Sequence, residues 1–236
     1  MNIIEKMIGA VYPPRCSICE DILENSDIGI CKTCFGKLEY ISEPVCKQCG
    51  KPIFDDTAEF CYDCGRKKHF FLQNKGVFVY RGEMQKSIYR FKYNNKREYG
   101  QFYANEIIRA YGDWIKTISP DYLIPIPIYK TKKRTRGFNQ SELIADLIGK
   151  SLDIPVLNNY LVRVKKTVPQ KELNDLERKN NIKNAFKLNK NIVKLRKAIL
   201  IDDIYTTGST IDEAARLLAD EDIEVYSLTL CIGKGD

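Results

Sequence analysis

Two aspartates, Asp202 and Asp203, stand side by side behind the apolar run 198–201. Thr206-Thr207-Gly208-Ser209-Thr210 and an apolar-periodic segment follow. A short buried strand that ends in a hydroxyl- and glycine-rich turn before a helix is an anion-binding device. The first helical N–H groups lack backbone partners, the dipole is positive there, and glycine lets the backbone close on a ligand. A pocket for phosphate alone would avoid carboxylates. Carboxylates accept hydrogen bonds from hydroxyls, so the pattern predicts a ligand with a phosphate and a vicinal diol, as in a ribose 5-phosphate. The acids also suit Mg²⁺, directly or through water. The run is neither a Walker A loop nor a dinucleotide fingerprint, because Gly-x-x-x-x-Gly-Lys and Gly-x-Gly-x-x-Gly are both absent from it. The competing structural explanation is a capped turn with Ser209 or Thr210 as N-cap and solvated acids.

The second chemical signature is an array of cysteines at 16, 19, 31, 34, 46, 49, 61 and 64. These are four Cys-x-x-Cys pairs, each starting 15 residues after the last. Such a pair presents both sulfurs to one metal from a tight turn, and two pairs complete a tetrahedral shell. Gly50 and Gly65 follow two of the pairs, where a knuckle turn can need positive φ. Two structural Zn²⁺ ions are predicted, because a closed four-sulfur shell leaves no open coordination position. Sequential pairing (16/19/31/34 and 46/49/61/64) closes the shorter loops, and crossed pairing is the alternative. Disulfides would require an oxidising compartment. Cys231, on an apolar strand pattern, reads as a core residue. His69, the only histidine, reads as an exposed linker residue.

The chain has 236 residues, 44% of them hydrophobic, enough for one large or two modest domains. Its start, with Glu5 and Lys6 inside a short apolar stretch, does not look like a signal peptide. No run reaches the ~18 apolar residues of a membrane helix. The expectation is a cytoplasmic protein. The formal charge of +7 falls to about +3 once two Zn²⁺, each on four thiolates, are counted. Net charge is then a weak argument for nucleic acid, and local clustering matters more.

The remaining pattern supplies the elements that position these residues. Ile3, Ile4, Met7, Ile8 and Val11 form one face of a short helix stopped by Pro13-Pro14. Strands are predicted at 76–80, 122–128, 198–204 and 223–232. Helices are predicted at 83–94, 98–115, 139–152 and 209–220. Strands alternating with helices imply an α/β fold with a parallel sheet, in which ligands bind past the carboxyl ends of strands. A basic loop, 130–140, occupies one such end with Lys130, Lys132, Lys133, Arg134, Arg136 and Gly137. Arginine suits phosphate through its bidentate fork. Segment 89–103 interleaves aromatic rings with cations, a mixture that can stack bases and neutralise phosphates on a single strand. The plainer expectation, which we favour, is two amphipathic helices meeting near Asn94-Asn95 with the rings in the core.

The run 198–210 resembles the phosphoribosyl-pyrophosphate (PRPP) signature of type I phosphoribosyltransferases. The run RGFNQSELIA at 136–145, the arrangement Arg163, Thr167, Gln170, Leu173, Glu177-Arg178, Asn181, Ala185-Phe186, and the PPRCSIC opening at 13–19 are similar to the ComF/GntX family of competence proteins. The resemblance implies a parallel-sheet phosphoribosyltransferase-like domain at 75–236. Ahead of it would stand a helix at 1–12 and a double zinc ribbon at 13–68. It implies that Asp202 and Asp203 bind ribose hydroxyls and act in any catalysis, and that Thr206, Thr207, Gly208, Ser209 and Thr210 hold the 5-phosphate. Lys130, Arg134, Arg136 and Gly137 would meet pyrophosphate, Mg²⁺ would accompany PRPP, and Gln170, Arg178 and Asn181 would form a hood. The implied role is natural transformation, with handling of internalised single-stranded DNA. The alternatives are an active phosphoribosyltransferase with an unidentified acceptor, or a ribbon that docks a helicase or DNA-uptake protein.

Overall fold

A computed structural model describes residues 13–23, 29–55, 57–167, 175–189 and 195–233. The expected helix at 1–12 lies outside them. The core is a four-stranded, all-parallel sheet in the order β1-β6-β5-β2, formed by β1 (Asn74–Val79), β2 (Tyr122–Pro125), β5 (Lys197–Tyr205) and β6 (Glu224–Ile232). A separate antiparallel pair joins β3 (Leu161–Arg163) to β4 (Phe186–Leu188). The parallel strands read as continuous apolar runs because both sheet faces are covered. Along β5 the two-residue period divides the core: Ile199 and Ile201 pack into one cluster, Ala198 and Leu200 into the other.

The Ile199 face is covered by α3 (Gly82–Tyr93), α4 (Tyr99–Ile118) and α6 (Gln140–Leu152), through Ile88, Phe91, Phe102 and Ile144. The opposite face is covered by α8 (Ser209–Ala219), through Ile211, Ala215 and Leu218. The junction of α3 and α4 falls at Asn94, the C-cap, and at Asn95 with φ +53°. Phe91, Tyr99, Phe102 and Tyr103 are buried as the helical pattern requires, whereas Tyr89 and Tyr93 remain exposed.

Two local expectations change. The basic segment is not a loop: residues 130–136 form a helix, α5 (Lys130–Arg136), closed by Gly137 at φ +78°. Lysine and arginine are good helix formers, and a left-handed glycine is the common stop signal. Two short helices follow cysteines, α1 (Lys32–Phe35) and α2 (Tyr62–Arg66); Gly50 takes the positive φ expected of a knuckle, +73°, but Gly65 lies within α2.

The cysteine-bearing segments pack on the α/β layer. Residues 39–41 extend the sheet at the outer edge of β1, where Ile41 N–H donates to Val77 O (2.8 Å) and Val79 N–H to Glu39 O (2.9 Å). Ser87 of α3 donates to Ser17 O, and Asn74 Nδ2 to Cys49 O (2.8 Å). Cys16, Ile18 and Cys34 join the Ile199 cluster, while Cys46, Cys49 and Phe71 join the α8 cluster.

Candidate functional site

The eight cysteines form two groups, 16/19/31/34 and 46/49/61/64, with all four sulfurs of each group within 4.8 Å of one another. The pairing is the sequential one. Cys19 and Cys31 Sγ lie 3.8 Å apart, and Cys49 and Cys61 Sγ 3.7 Å. A tetrahedron with Zn–S of about 2.3 Å has edges of about 3.8 Å, so the donor sets fit two structural zinc sites. The first knuckle aims backbone N–H groups of Ile18 and Cys31 at Cys16 Sγ, each at 3.4 Å. Such bonds steady a metal-bound thiolate.

The carboxylates sit at the C-terminal end of β5, beside the end of β2. Asp202 is half-buried and Asp203 buried. Asp203 faces the same side of the sheet as Ile201 and meets Lys92 of α3, whose Nζ lies 2.8 Å from its Oδ2. Asp202 Oδ1 accepts from Ser141 Oγ (3.0 Å) and from its neighbour's backbone N–H (2.9 Å). Asn139 sets this up: its side chain caps α6 by accepting from Ser141 N–H, and its Nδ2 donates to Ile126 O beyond β2 (3.0 Å). Burial, and after it the neighbouring Asp203 charge, pushes the Asp202 carboxyl up to about 7, while Lys92 and the Ser141 hydroxyl pull the other way. Burial opposes the charge on Lys92, yet Asp203 outweighs it and raises that ammonium above its ordinary value. A buried cation therefore faces a carboxylate pair of which one member holds its proton near neutrality.

Past the acids, Gly208 stands at φ +74° and caps α8, whose first turn receives no side-chain cap from the described residues. Only glycine fits: an added Cβ would lie 2.2 Å from the Tyr205 hydroxyl. Ile204, Tyr205, Thr206, Gly208, Ser209, Thr210 and Ile211 line a small cleft. Thr207 Oγ1 lies 3.0 Å from Ser209 Oγ, so these two hydroxyls share one side of the loop.

Of the basic residues, Arg136 turns inward. It donates to Gln140 Oε1 (3.0 Å) and the Tyr93 hydroxyl (3.1 Å), and it stacks on the Tyr93 ring at 4.8 Å. Lys130 and Arg134 are exposed on α5. Gln170 lies outside the described residues. Asn181 is half-buried on α7 (Asp175–Ile182), which also carries Arg178, whose side chain is outside them. Arg163 is lowered from its ordinary value by burial, against the pull of Asp202, and its guanidinium lies over Phe186.

Sequence reasoning missed two residues of this site. Lys92 follows Ile88 by one helical turn on the apolar stripe of α3, and a charge on such a stripe is the signal for a buried partner. Ser141 carries no signal apart from its helix-start position. His69 is a correction. Its side chain is 2% exposed, with Nδ1 2.9 Å from both Asp212 oxygens and Nε2 3.3 Å from Cys64 Sγ. The segment after the last cysteine folds onto the start of α8 and buries the ring that the sequence placed in solvent.

Residues 7–65 match the double zinc ribbon domain family. The chain is 33% identical over 222 residues to competence protein F of Haemophilus influenzae, covering 91% of this chain and 96% of that one. It is 28% identical over 240 residues to competence protein ComFC of Bacillus subtilis, covering 90% and 92%. It is 28% identical over 209 residues to the DNA utilization protein YhgH of Escherichia coli K12, covering 87% and 91%. Among the described residues no helix is long and apolar enough to cross a membrane. With this likeness running along nearly the whole chain, zinc ribbons and α/β layer together, the chain belongs to the ComF family of competence and DNA-utilization proteins.

Proposed function

We propose that the chain binds PRPP, or a sugar phosphate like it, at the turn between β5 and α8, and handles single-stranded DNA in the cytoplasm during competence or DNA utilization. The observation that carries this is the carboxylate pair at the end of β5, set directly before the uncapped N-terminus of α8. Phosphate suits the amides and hydroxyls of 206–210. The ribose diol suits Asp202 and Asp203, with Mg²⁺ accompanying the pyrophosphate. Two buried donors without partners among the described residues, Gln140 Nε2 and Arg163 Nε, are consistent with a polar ligand, because such groups cost about 1–3 kcal/mol when left unpaired. The DNA half rests on the names of the relatives and on one surface. Exposed Tyr89 and Tyr93 form a tilted pair with ring centroids 4.8 Å apart, and Arg136 lies over Tyr93 beside the basic helix α5. Rings and cations together suit unpaired bases.

The second reading, a phosphoribosyltransferase with an unidentified acceptor, is favoured by Lys92 and Arg136. Their charge would meet that building on a departing pyrophosphate, while the aspartates would steady a cationic sugar. Calorimetry with PRPP and Mg²⁺ tests the main reading. The wild type should bind, and Thr207→Ala combined with Ser209→Ala should lose about a hundredfold or more, since each of the two charged hydrogen bonds contributes about 1.5–3 kcal/mol. Equal affinity in the double variant would remove the phosphate loop. Binding to an unpaired oligonucleotide should fall steeply with salt and weaken in Tyr93→Ala.

A further inference from the structure

The two cysteine centres differ in what they touch. The first rests on α3 through Ser17 O and Ile18 O, which accept from Ser87 and Arg90. The second reaches the sugar-phosphate turn by two routes. Cys64 Sγ lies 3.3 Å from His69 Nε2, and His69 Nδ1 lies 2.9 Å from the Asp212 carboxylate in the first turn of α8. Asp212 N–H in turn donates to Gly208 O (2.8 Å). The His69 ring also lies 4.8 Å from Phe71, which meets Tyr205 edge-on, and the Tyr205 hydroxyl fills the space that only Gly208 leaves free. Asp212 has two further partners, Lys67 Nζ and Phe70 N–H (3.4 Å), from the same short segment. The ring lies between a metal-bound thiolate and a carboxylate, with one nitrogen against each, and its N–H donates to the acceptor that it faces. Outer partners of metal sites orient what they touch.

We propose that His69 is a positioning residue that couples the second four-cysteine centre to the sugar-phosphate turn, so that zinc at 46/49/61/64 holds residues 208–212 in the conformation that receives phosphate. The inference rests on the reading of that turn as the sugar-phosphate site. It predicts that zinc loss at the second centre opens the turn, whereas zinc loss at the first does not.

The test uses the full chain with both zinc ions bound and has two readouts, amide hydrogen exchange and calorimetry with ribose 5-phosphate. His69→Ala should retain two zinc ions. Its amides at 208–212 should exchange at least tenfold faster while those of β6 stay protected, and its affinity for ribose 5-phosphate should drop about tenfold. His69→Asn, which keeps a donor on the Asp212 side alone, should fall between the two. Asp21→Ala, next to Cys19 of the first centre, should change neither readout. Unchanged exchange at 208–212 in both His69 variants, or an equal effect from Asp21→Ala, would overturn the coupling. If the wild type does not bind ribose 5-phosphate, the sugar-phosphate reading fails, and the exchange comparison alone still decides the coupling.

Discussion

Replacing Asp202 with asparagine should stabilise the protein at alkaline pH. Asparagine keeps an acceptor for Ser141 Oγ and for the Asp203 N–H, but it cannot ionise beside Asp203. The wild-type carboxyl is displaced from its ordinary 3.8 to about 7, with burial first and the Asp203 charge second as causes. At about 1.36 kcal/mol per tenfold change in proton affinity, ionising it in the folded chain costs about 4 kcal/mol more than in the unfolded one. That figure is a ceiling, because Lys92 is shared between the two aspartates. A raised folded pKa means the native state holds the proton more tightly. The group therefore favours folding below about pH 4 relative to alkaline pH, and this advantage is lost as pH rises through about 7. Urea unfolding of zinc-loaded wild type and Asp202→Asn should then be run from pH 4.5 to 8.5. The two stabilities should be close at the acid end and separate progressively, with the variant ahead by up to about 4 kcal/mol at pH 8.5. Taking the difference between proteins cancels the titrating groups that do not interact with Asp202, leaving Asp202 with its partners Asp203 and Lys92. Parallel curves, or a wild type that gains on the variant as pH rises, would refute the description of Asp202 as a half-buried carboxyl repelled by its neighbour.

Lys92→Met should act in the opposite sense, destabilising the chain by about 3–5 kcal/mol at pH 8, because it strands Asp203 without its cation. The loss should shrink at pH 5 in the same urea assay. Gly208→Ala should lose about 2–4 kcal/mol by thermal or urea unfolding, through a left-handed backbone and the Tyr205 hydroxyl in the Cβ position. Metal analysis should find two zinc ions per chain, falling to one when Cys19 and Cys31 are both replaced by serine and to one when Cys49 and Cys61 are.

Most of the parallel sheet was legible in the sequence, because strands buried on both faces leave uninterrupted apolar runs such as 198–201. The acids and hydroxyls after that run announced a polar turn by their density alone. What escaped were residues whose roles depend on distant elements. Lys92 is 111 positions from Asp203 in sequence, and only the packing of α3 against the end of β5 brings them together. His69 looked like a linker because nothing local shows that segment 67–70 folds onto α8. The basic segment was misread for a different reason: its composition suits a helix as well as a charged loop, and the left-handed Gly137 closes it as a helix. Segment 89–103 divided as helical periodicity demands, with Phe91, Tyr99, Phe102 and Tyr103 inward and Tyr89 and Tyr93 outward.

A site that grips a phosphate and a diol together should distinguish three ligands. Calorimetry of the zinc-loaded chain with ribose 5-phosphate, inorganic phosphate and ribose should give tight binding for the first, weak but measurable binding for the second and none for the third. Asp203→Asn should erase much of its advantage over inorganic phosphate, while Thr207→Ala with Ser209→Ala weakens both phosphates. Equal affinity for ribose 5-phosphate and inorganic phosphate, untouched by Asp203→Asn, would mean that the aspartates do not hold the sugar.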